Sequence, residues 1–265
     1  MITRASHLVF IFITVVVAAA QLSADLPAEE IIQRSLNTNY YGGKDQRVHI
    51  SMKLINSQGN IRDREMTMLR LNQSDGEQRY YIYFQAPADV KGTTFMVWKH
   101  VGKEADRWIY IPAIKLTRRI AADDKRSSFV GSDFAYEDVS GRQVADETHR
   151  LMRREEVNGR PAYVIESRPK VSLDYARRLS WIDGERWIPL KEEYYDSRDQ
   201  LIRVFTADKA EQVSGHWTIM ARTMKNMQTG HRTEVIFDEP AYDVGLTSDI
   251  FSERYLRDAP RKWIH

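Results

Sequence analysis

The residue types that could carry out chemistry are scattered along this chain. His49, His100, His149, His216, His231 and His265 stand singly, with no His-Glu-x-x-His and no pair at helix-ligand spacing. Gly131-Ser132-Asp133 sets a serine beside a glycine. A nucleophile elbow needs Gly-x-Ser-x-Gly after an apolar strand, with a histidine to take the proton. Ser132 therefore reads as a turn or cap residue. The acidic pairs Asp123/Asp124 and Glu137/Asp138 fall on polar loops, where solvated charge is the default. There is no phosphate-cradling glycine loop and no cysteine nucleophile. The expectation is no catalytic residue, no metal and no cofactor. A secreted hydrolase would require Ser132 to gather with a histidine and a carboxylate.

The stretch that holds Ser132 runs from Asp106 to Val139. Trp108-Ile109-Tyr110-Ile111 is strand-like and Pro112 ends it. Ile114, Leu116 and Ile120 fall on alternate positions of a second extended piece, which turns Lys115 and Arg119 the other way. The periodicity then stops. Ser127 to Phe134 reads as a structured loop in which Gly131 permits an unusual backbone angle. Ser132 or Asp133 is placed to cap a short helical turn through Phe134–Asp138. Two Phe and a Tyr among these charges need an apolar place to sit.

Composition narrows the function classes. The 265 residues carry 39 basic and 37 acidic side chains, mixed along the chain, unlike the concentrated basic charge of a nucleic-acid-binding protein. Three basic knots, Lys115/Arg118/Arg119, Arg150/Arg153/Arg154 and Arg177/Arg178, are either solvated strand edges or contacts for an anionic headgroup or acidic partner. Residues 1–24 read as a cleaved signal peptide: Arg4, then an apolar core from Leu8 to Ala20, then small residues near 20 or 24. That core is shorter than the ~20 residues a spanning helix needs. No later run approaches spanning length, so no integral span is expected after cleavage. With no cysteine, the exported chain has no disulfide and no thiol for a lipid anchor.

Residues 25–265 read as one domain. Leu26 to Leu36 forms an amphipathic helix with Pro27 near its first turn, and Asn37 to Gly43 ends it. From Val48 the chain alternates strands and turns, with hairpin signals at Asn56–Asn60, Asp75-Gly76, Asn158-Gly159 and Asp183-Gly184. Met66, Met68 and Arg70 alternate with Thr67, Leu69 and Leu71; Phe95, Val97 and Lys99 alternate with Met96 and Trp98. Val171, Leu173, Tyr175, Leu179 and Trp181 share one face, and Asp249 to Leu256 suggests a short helix. The expected class is mainly β (α+β). Roughly ten or eleven antiparallel strands, too many to stay flat, curl into a container covered by the N-terminal helix and the Asp123–Val139 insertion.

Four runs, Gln85-Ala86-Pro87-Ala88-Asp89-Val90-Lys91-Gly92-Thr93, Arg107-Trp108-Ile109-Tyr110-Ile111-Pro112-Ala113, Arg118-Arg119-Ile120 and Ser128-Phe129-Val130-Gly131-Ser132-Asp133-Phe134-Ala135-Tyr136-Glu137-Asp138, stand in an order and spacing that resembles the bacterial outer membrane lipoprotein-sorting family, a LolA-like group. The resemblance covers essentially the whole chain after the signal. It is to a longer, divergent branch often found beside resistance-nodulation-division (RND, MMPL-type) exporters. It implies a strongly curved antiparallel sheet forming an incomplete barrel, lidded by helices over a hydrophobic cavity, in the periplasm of a Gram-negative bacterium. It also implies a carrier that takes acyl chains of lipoproteins, or another lipid or hydrophobic ligand, from an inner-membrane exporter of RND/MMPL type toward the outer membrane. No enzymatic residues carry over. A sensor of mislocalised lipoprotein or envelope stress would use the same cavity. Within this frame Tyr83, Met96, Trp98, Trp108 and Tyr110 are expected to line the cavity, and Phe129 and Phe134 to plug it. Alternation alone does not say which strand face points inward.

Overall fold

A computed structural model describes residues 26–121, 123–171 and 174–264. The expected signal segment, Leu173 and His265 lie outside the described residues. Helix α1 covers Ala28–Tyr40, with Pro27 at its cap, Glu29 and Glu30 in its first turn, and Ala28, Ile31 and Ile32 buried. It runs four residues past the expected end at Leu36, because Asn37–Tyr40 still packs and Tyr41 caps it by donating its N–H to Asn37 O at 2.9 Å.

Among the described residues thirteen strands follow, rather than ten or eleven. The first six are β1 Asp45–Ile55, β2 Ile61–Asn72, β3 Gln78–Ala86, β4 Thr94–Lys99, β5 Asp106–Ile111 and β6 Leu116–Arg119. The other seven are β7 Glu147–Val157, β8 Arg160–Pro169, β9 Arg177–Asp183, β10 Pro189–Tyr195, β11 Leu201–Val213, β12 His216–Asn226 and β13 Arg232–Tyr242. They make one antiparallel sheet in the order β6-β5-β4-β3-β2-β1-β13-β12-β11-β10-β9-β8-β7, which does not close into a barrel. Two meanders thus meet where β1 pairs with β13, and the edges are β6 and β7. The segment between those edges, residues 120–146, crosses the inner face and carries the short helix α2, Tyr136–Ser140.

Alternation sorts the side chains onto two faces. The inner face collects Ile50, Met66, Ile82, Phe84, Phe95 and Val235, packed against Phe129, Phe134 and Tyr136 of the crossing segment. Helix α1 covers the far part of the same face, with Ile31 and Ile32 on Ile165 and Ile182. The outer face collects Leu69, Tyr81, Met96 and Trp108 beneath a C-terminal segment carrying Ile250, Phe251, Leu256 and Ile264. That segment has two helical turns, α3 Arg254–Arg257 and α4 Arg261–Ile264, after a 3-10 turn at Ser248–Phe251, where a single helix from Asp249 was expected.

Both covers leave backbone groups that strand side chains must satisfy. The buried Asp45 carboxylate accepts the N–H groups of Val244, Gly245 and Leu246 at 2.8, 3.0 and 3.1 Å. Trp98 Nε1 donates to Phe251 O at 2.7 Å, Tyr81 Oη to Tyr255 O at 2.7 Å and Thr94 Oγ1 to Leu256 O at 2.8 Å. The expected face of Val171, Tyr175, Leu179 and Trp181 does not form. β9 begins only at Arg177, Tyr175 turns into the inner core, and Trp181 packs with Leu179 on the other side.

Charge-assisted hydrogen bonds of the Asp45 type contribute about 1.5–3 kcal/mol each at most, and share that value when one carboxylate serves several donors. Asp45→Ala is expected to lower unfolding free energy in urea by about 2–3 kcal/mol. Amide exchange should rise at Val244–Leu246 before it rises in β1.

Candidate functional site

The site grows from the way the crossing segment lies on the sheet. Val130 and Gly131 sit at φ 49° and 81°, and Ser132 N–H closes the turn onto Phe129 O at 3.0 Å. A turn with both central residues left-handed is the type I′ form, for which Gly is suited and Val is not. It drives Phe129 into the core, where it is 1% exposed. Its ring lies 5.9 Å from Phe84, 5.4 Å from Phe95 and 5.6 Å from Tyr136. Such tilted and edge-on aromatic contacts add about 0.5–1.5 kcal/mol per pair beyond the area buried.

The rim of the crossing is polar. Asp133 Oδ2 accepts from His231 Nδ1 at 2.6 Å and Thr233 Oγ1 at 2.8 Å, and Asp133 N–H donates back to Thr233 Oγ1 at 2.9 Å. Neither Ser132 nor Asp133 caps α2, contrary to the expectation. Asp138 does so, accepting the Ala135 N–H at 2.8 Å, because Asp133 is spent on β13. Ser132 Oγ bonds only within its own loop, to Phe134 N and O at 3.3 Å. His231 pairs with Asp133, but no described bond joins Ser132 to it, so the arrangement a serine hydrolase needs is not assembled. Among the described residues no group of three or more His, Asp or Glu could hold a metal ion.

Beneath this cover lies a cavity of about 760 Å³, its open mouth included. Its wall is apolar at Ile50, Met52, Met66, Ile82, Phe129 and Val235 and polar at Gln46, Arg70, Tyr80, Thr218 and Tyr242, and Arg222, which pairs across the strands with Val235, stands between them. A second cavity of about 620 Å³ lies toward α1, among Ser35, Arg142, Arg178, Glu192 and Tyr194. Asn39, Tyr40, Phe134, Asp138 and Arg222 line both and form the partition.

The second cavity is walled by buried charges in pairs. Arg178 donates to Glu147 at 2.6 Å and Glu192 at 3.0 Å, and Tyr175 donates to Glu147 at 2.9 Å. Arg142 bonds Asp138 and, at 3.1 Å, Glu137; Arg203 stands 3.7 Å from Asp138. Burial pushes the Asp138 carboxyl up, but Arg142, Arg203 and the Ala135 N–H more than offset this and hold it below its ordinary range. Burial likewise raises Glu147, and Arg178, Arg142 and the Tyr175 hydroxyl bring it down further than that. Burial and the neighbouring Arg107 pull Lys99 down to about 8; its ammonium reaches Ser140 O at 3.2 Å and ties the end of α2 to β4. Tyr40 is pushed up to about 12 by burial.

Of the residues expected at the cavity, Phe129 and Phe134 line it. Tyr83, Met96, Trp98, Trp108 and Tyr110 do not. They belong to the outer-face cluster, Trp98 and Trp108 lying 5.0 Å apart under the C-terminal segment. Their neighbours in sequence, Ile82, Phe95, Val97 and Ile109, are the inward ones. Arg70, Arg222, Tyr40 and the arginine–carboxylate pairs were not anticipated. The one available signal was Arg70, which alternates with Met66 and Met68 on an otherwise apolar strand face.

The depressed carboxyls fix a pH dependence. The unfolded groups titrate near ~4 and the folded ones lower, so this stability is complete above about pH 5 and is lost as pH falls through 4 toward the folded values. Glu147→Gln, which strands Arg178, is expected to cost about 3–5 kcal/mol at pH 7. In urea titrations the penalty should shrink toward pH 3, where the wild type has lost the same contribution.

Comparison with known proteins agrees with this geometry. A family model described as "Uncharacterized protein" matches residues 76–258. No curated protein matches the chain. A DUF1329 family protein from Desulfovibrio piger is 28% identical with a TM-score of 0.80, covering 86% of this chain and 97% of its own. A structure described as an outer membrane lipoprotein-sorting protein domain from Vibrio parahaemolyticus is 29% identical with a TM-score of 0.80, covering 87% of this chain and 98% of its own. A LolA superfamily protein from Nitrosomonas europaea shares the fold at 16% identity and a TM-score of 0.69, covering 87% and 100%. With the family match spanning more than half its length and these likenesses running through both meanders, the chain belongs to the family whose model it matches and has the LolA-like fold of these structures.

Proposed function

We propose that the chain is a periplasmic carrier, exported by a cleaved signal as a single domain, that holds an acyl chain of a lipid or lipid-modified protein in the inner-face cavity. It shuttles that cargo from an inner-membrane exporter of RND/MMPL type to the outer membrane. The observation that carries this reading is an apolar cavity lying under a crossing segment that is latched at its rim by polar contacts. Leaving a methylene in water costs about 0.8 kcal/mol, so a long chain crosses an aqueous compartment only inside a dry wall. Met52, Met66 and Met68 suit such a wall, because the unbranched thioether re-packs around chains of different length.

Loading requires the crossing segment to shift, since its Phe129 and Phe134 lie across the cavity. The rim latch sets the cost. Asp133→Ala removes the carboxylate that His231 and Thr233 address and leaves the fully buried Thr233 hydroxyl without it. The Asp133 N–H still reaches that hydroxyl, but the hydroxyl proton loses its acceptor, and a buried donor left unsatisfied costs about 1–3 kcal/mol. The variant is expected to be less stable by that amount and to take up a fluorescent fatty acid faster in stopped flow. Ile82→Trp, which fills the cavity at its apolar wall, should weaken uptake at least tenfold. Recovery of no lipid or acylated cargo from protein purified out of its native periplasm, together with no uptake by the wild type, would overturn the carrier reading.

A further inference from the structure

Five arginines stand on or beside the two cavities, and four have an evident electrostatic purpose. Arg142, Arg178 and Arg203 face carboxylates. Arg70 donates to Tyr40 O at 2.5 Å and to Gly42 O, where the last carbonyls of α1 gather negative charge. Arg222 is different. Its only described hydrogen bond goes from Nη2 to Ile219 O at 2.9 Å; its guanidinium lies 4.3 Å from the Phe237 ring centre. Its Nε is buried with no partner, as are those of Arg70, Arg178 and Arg203, but unlike Arg142, Arg178 and Arg203 it has no described carboxylate within ion-pair distance. Asp138 shares the partition but is committed to Arg142 and Arg203. Burial accordingly pulls the Arg222 guanidinium below its usual range.

An unpaired cation on the wall of an apolar cavity is a cost to the fold unless something pairs with it. A ring face offsets only part of that cost, up to about 2 kcal/mol when desolvated. Arg222 stands where the apolar wall gives way to the polar one, with the Tyr80 hydroxyl, also buried and without a partner, on the same cavity. The donors of a guanidinium form a fork that matches a carboxylate or phosphate with two charge-assisted bonds, and gain less from the single carbonyl of a neutral ester or amide head.

We propose that Arg222 is the headgroup anchor of this cavity, and that the occupant is a long-chain amphiphile with an anionic head, a carboxylate or a phosphate monoester, its chain lying along Met52, Met66, Ile82 and Val235. The inference rests on the carrier reading and narrows it from any acyl chain to an acidic amphiphile. Arg70, a second cation on the same cavity wall, adds to the field that draws an anion there.

The test is competition against a fluorescent fatty acid with three sixteen-carbon probes, hexadecanoate, hexadecyl phosphate and hexadecanol, and with inorganic phosphate, which has the anionic head and no chain. The wild type is expected to bind hexadecanoate or hexadecyl phosphate at least tenfold more tightly than hexadecanol. In Arg222→Gln that ratio should fall to below about threefold, and in Arg222→Lys, which keeps the charge but not the fork, it should lie between. Equal binding of acid and alcohol by the wild type overturns the headgroup assignment and leaves the carrier reading standing. No binding of any chain by the wild type overturns both. Competition by inorganic phosphate alone at concentrations comparable to hexadecyl phosphate also overturns the proposal, since the site would then serve free anions. Both ratios are internal to one preparation, so a loss of folded Arg222→Gln is recognised by circular dichroism and the wild-type ratio still decides.

Discussion

The pairing of β1 with β13 is the constraint on which the remaining structure depends. It joins two meanders at their starting and finishing strands, so the first meander ends at one sheet edge and the second begins at the other. The chain must then travel the whole width of the sheet between β6 and β7. Crossing the face that α1 also covers lets residues 120–146 bury their own aromatics while capping the strands beneath. The cover of the cavity is therefore the topological price of the sheet order, and its tightness is set locally. Phe129 anchors its centre through rings from β3, β4 and α2, and Asp133 fastens its rim to β13.

Charge is distributed so that this cover can hold without sealing. The apolar wall of the cavity is backed by β1, β2 and β3, whereas the region toward α1 is a set of buried arginine–carboxylate pairs. Breaking such a pair strands a charge, while the pair itself adds little net stability. Its effect is to hold α2 and the end of the crossing segment in one place, since Asp138 is at once a helix cap and the partner of Arg142 and Arg203. Gly141 follows at φ 80°, with the Tyr40 ring 3.1 Å from where a Cβ would stand, so α1 and α2 meet with no room for a side chain.

Much of this was legible in the sequence. Strand alternation separated Met66, Met68 and Arg70 from Leu69 and Leu71, and Phe95 and Val97 from Met96 and Trp98, as the two faces of the sheet do. The hairpin signals placed the turns, and the crossing segment was recognisable by aromatics without periodicity. What alternation could not supply was the sense of the face. A sheet with one wet side betrays it by polar residues, but here the C-terminal segment covers the outer side as fully as the crossing segment covers the inner one. Tyr83, Met96, Trp98, Trp108 and Tyr110 look like cavity residues because they too are buried. Trp98 and Tyr81 carry polar tips that reach backbone carbonyls of the covering segment, which is a structural use of an amphipathic ring. The partners of that use lie about 150 residues away or more, beyond any local pattern.

The same long range explains why the polar wall of the cavity was missed, and why its arginines must be judged by their partners. A guanidinium is tolerated inside a protein when carboxylates or aligned carbonyls replace its water. Arg142, Arg178 and Arg203 have the first and Arg70 has the second, so each is accounted for by the fold. Arg222 has one carbonyl and one ring face, and no described carboxylate. Had the position served packing alone, an apolar side chain of similar length would fill it beside Phe237 at no desolvation cost. A cation there is understandable if the compensating charge comes from outside the chain, at the junction where an apolar tail meets its head.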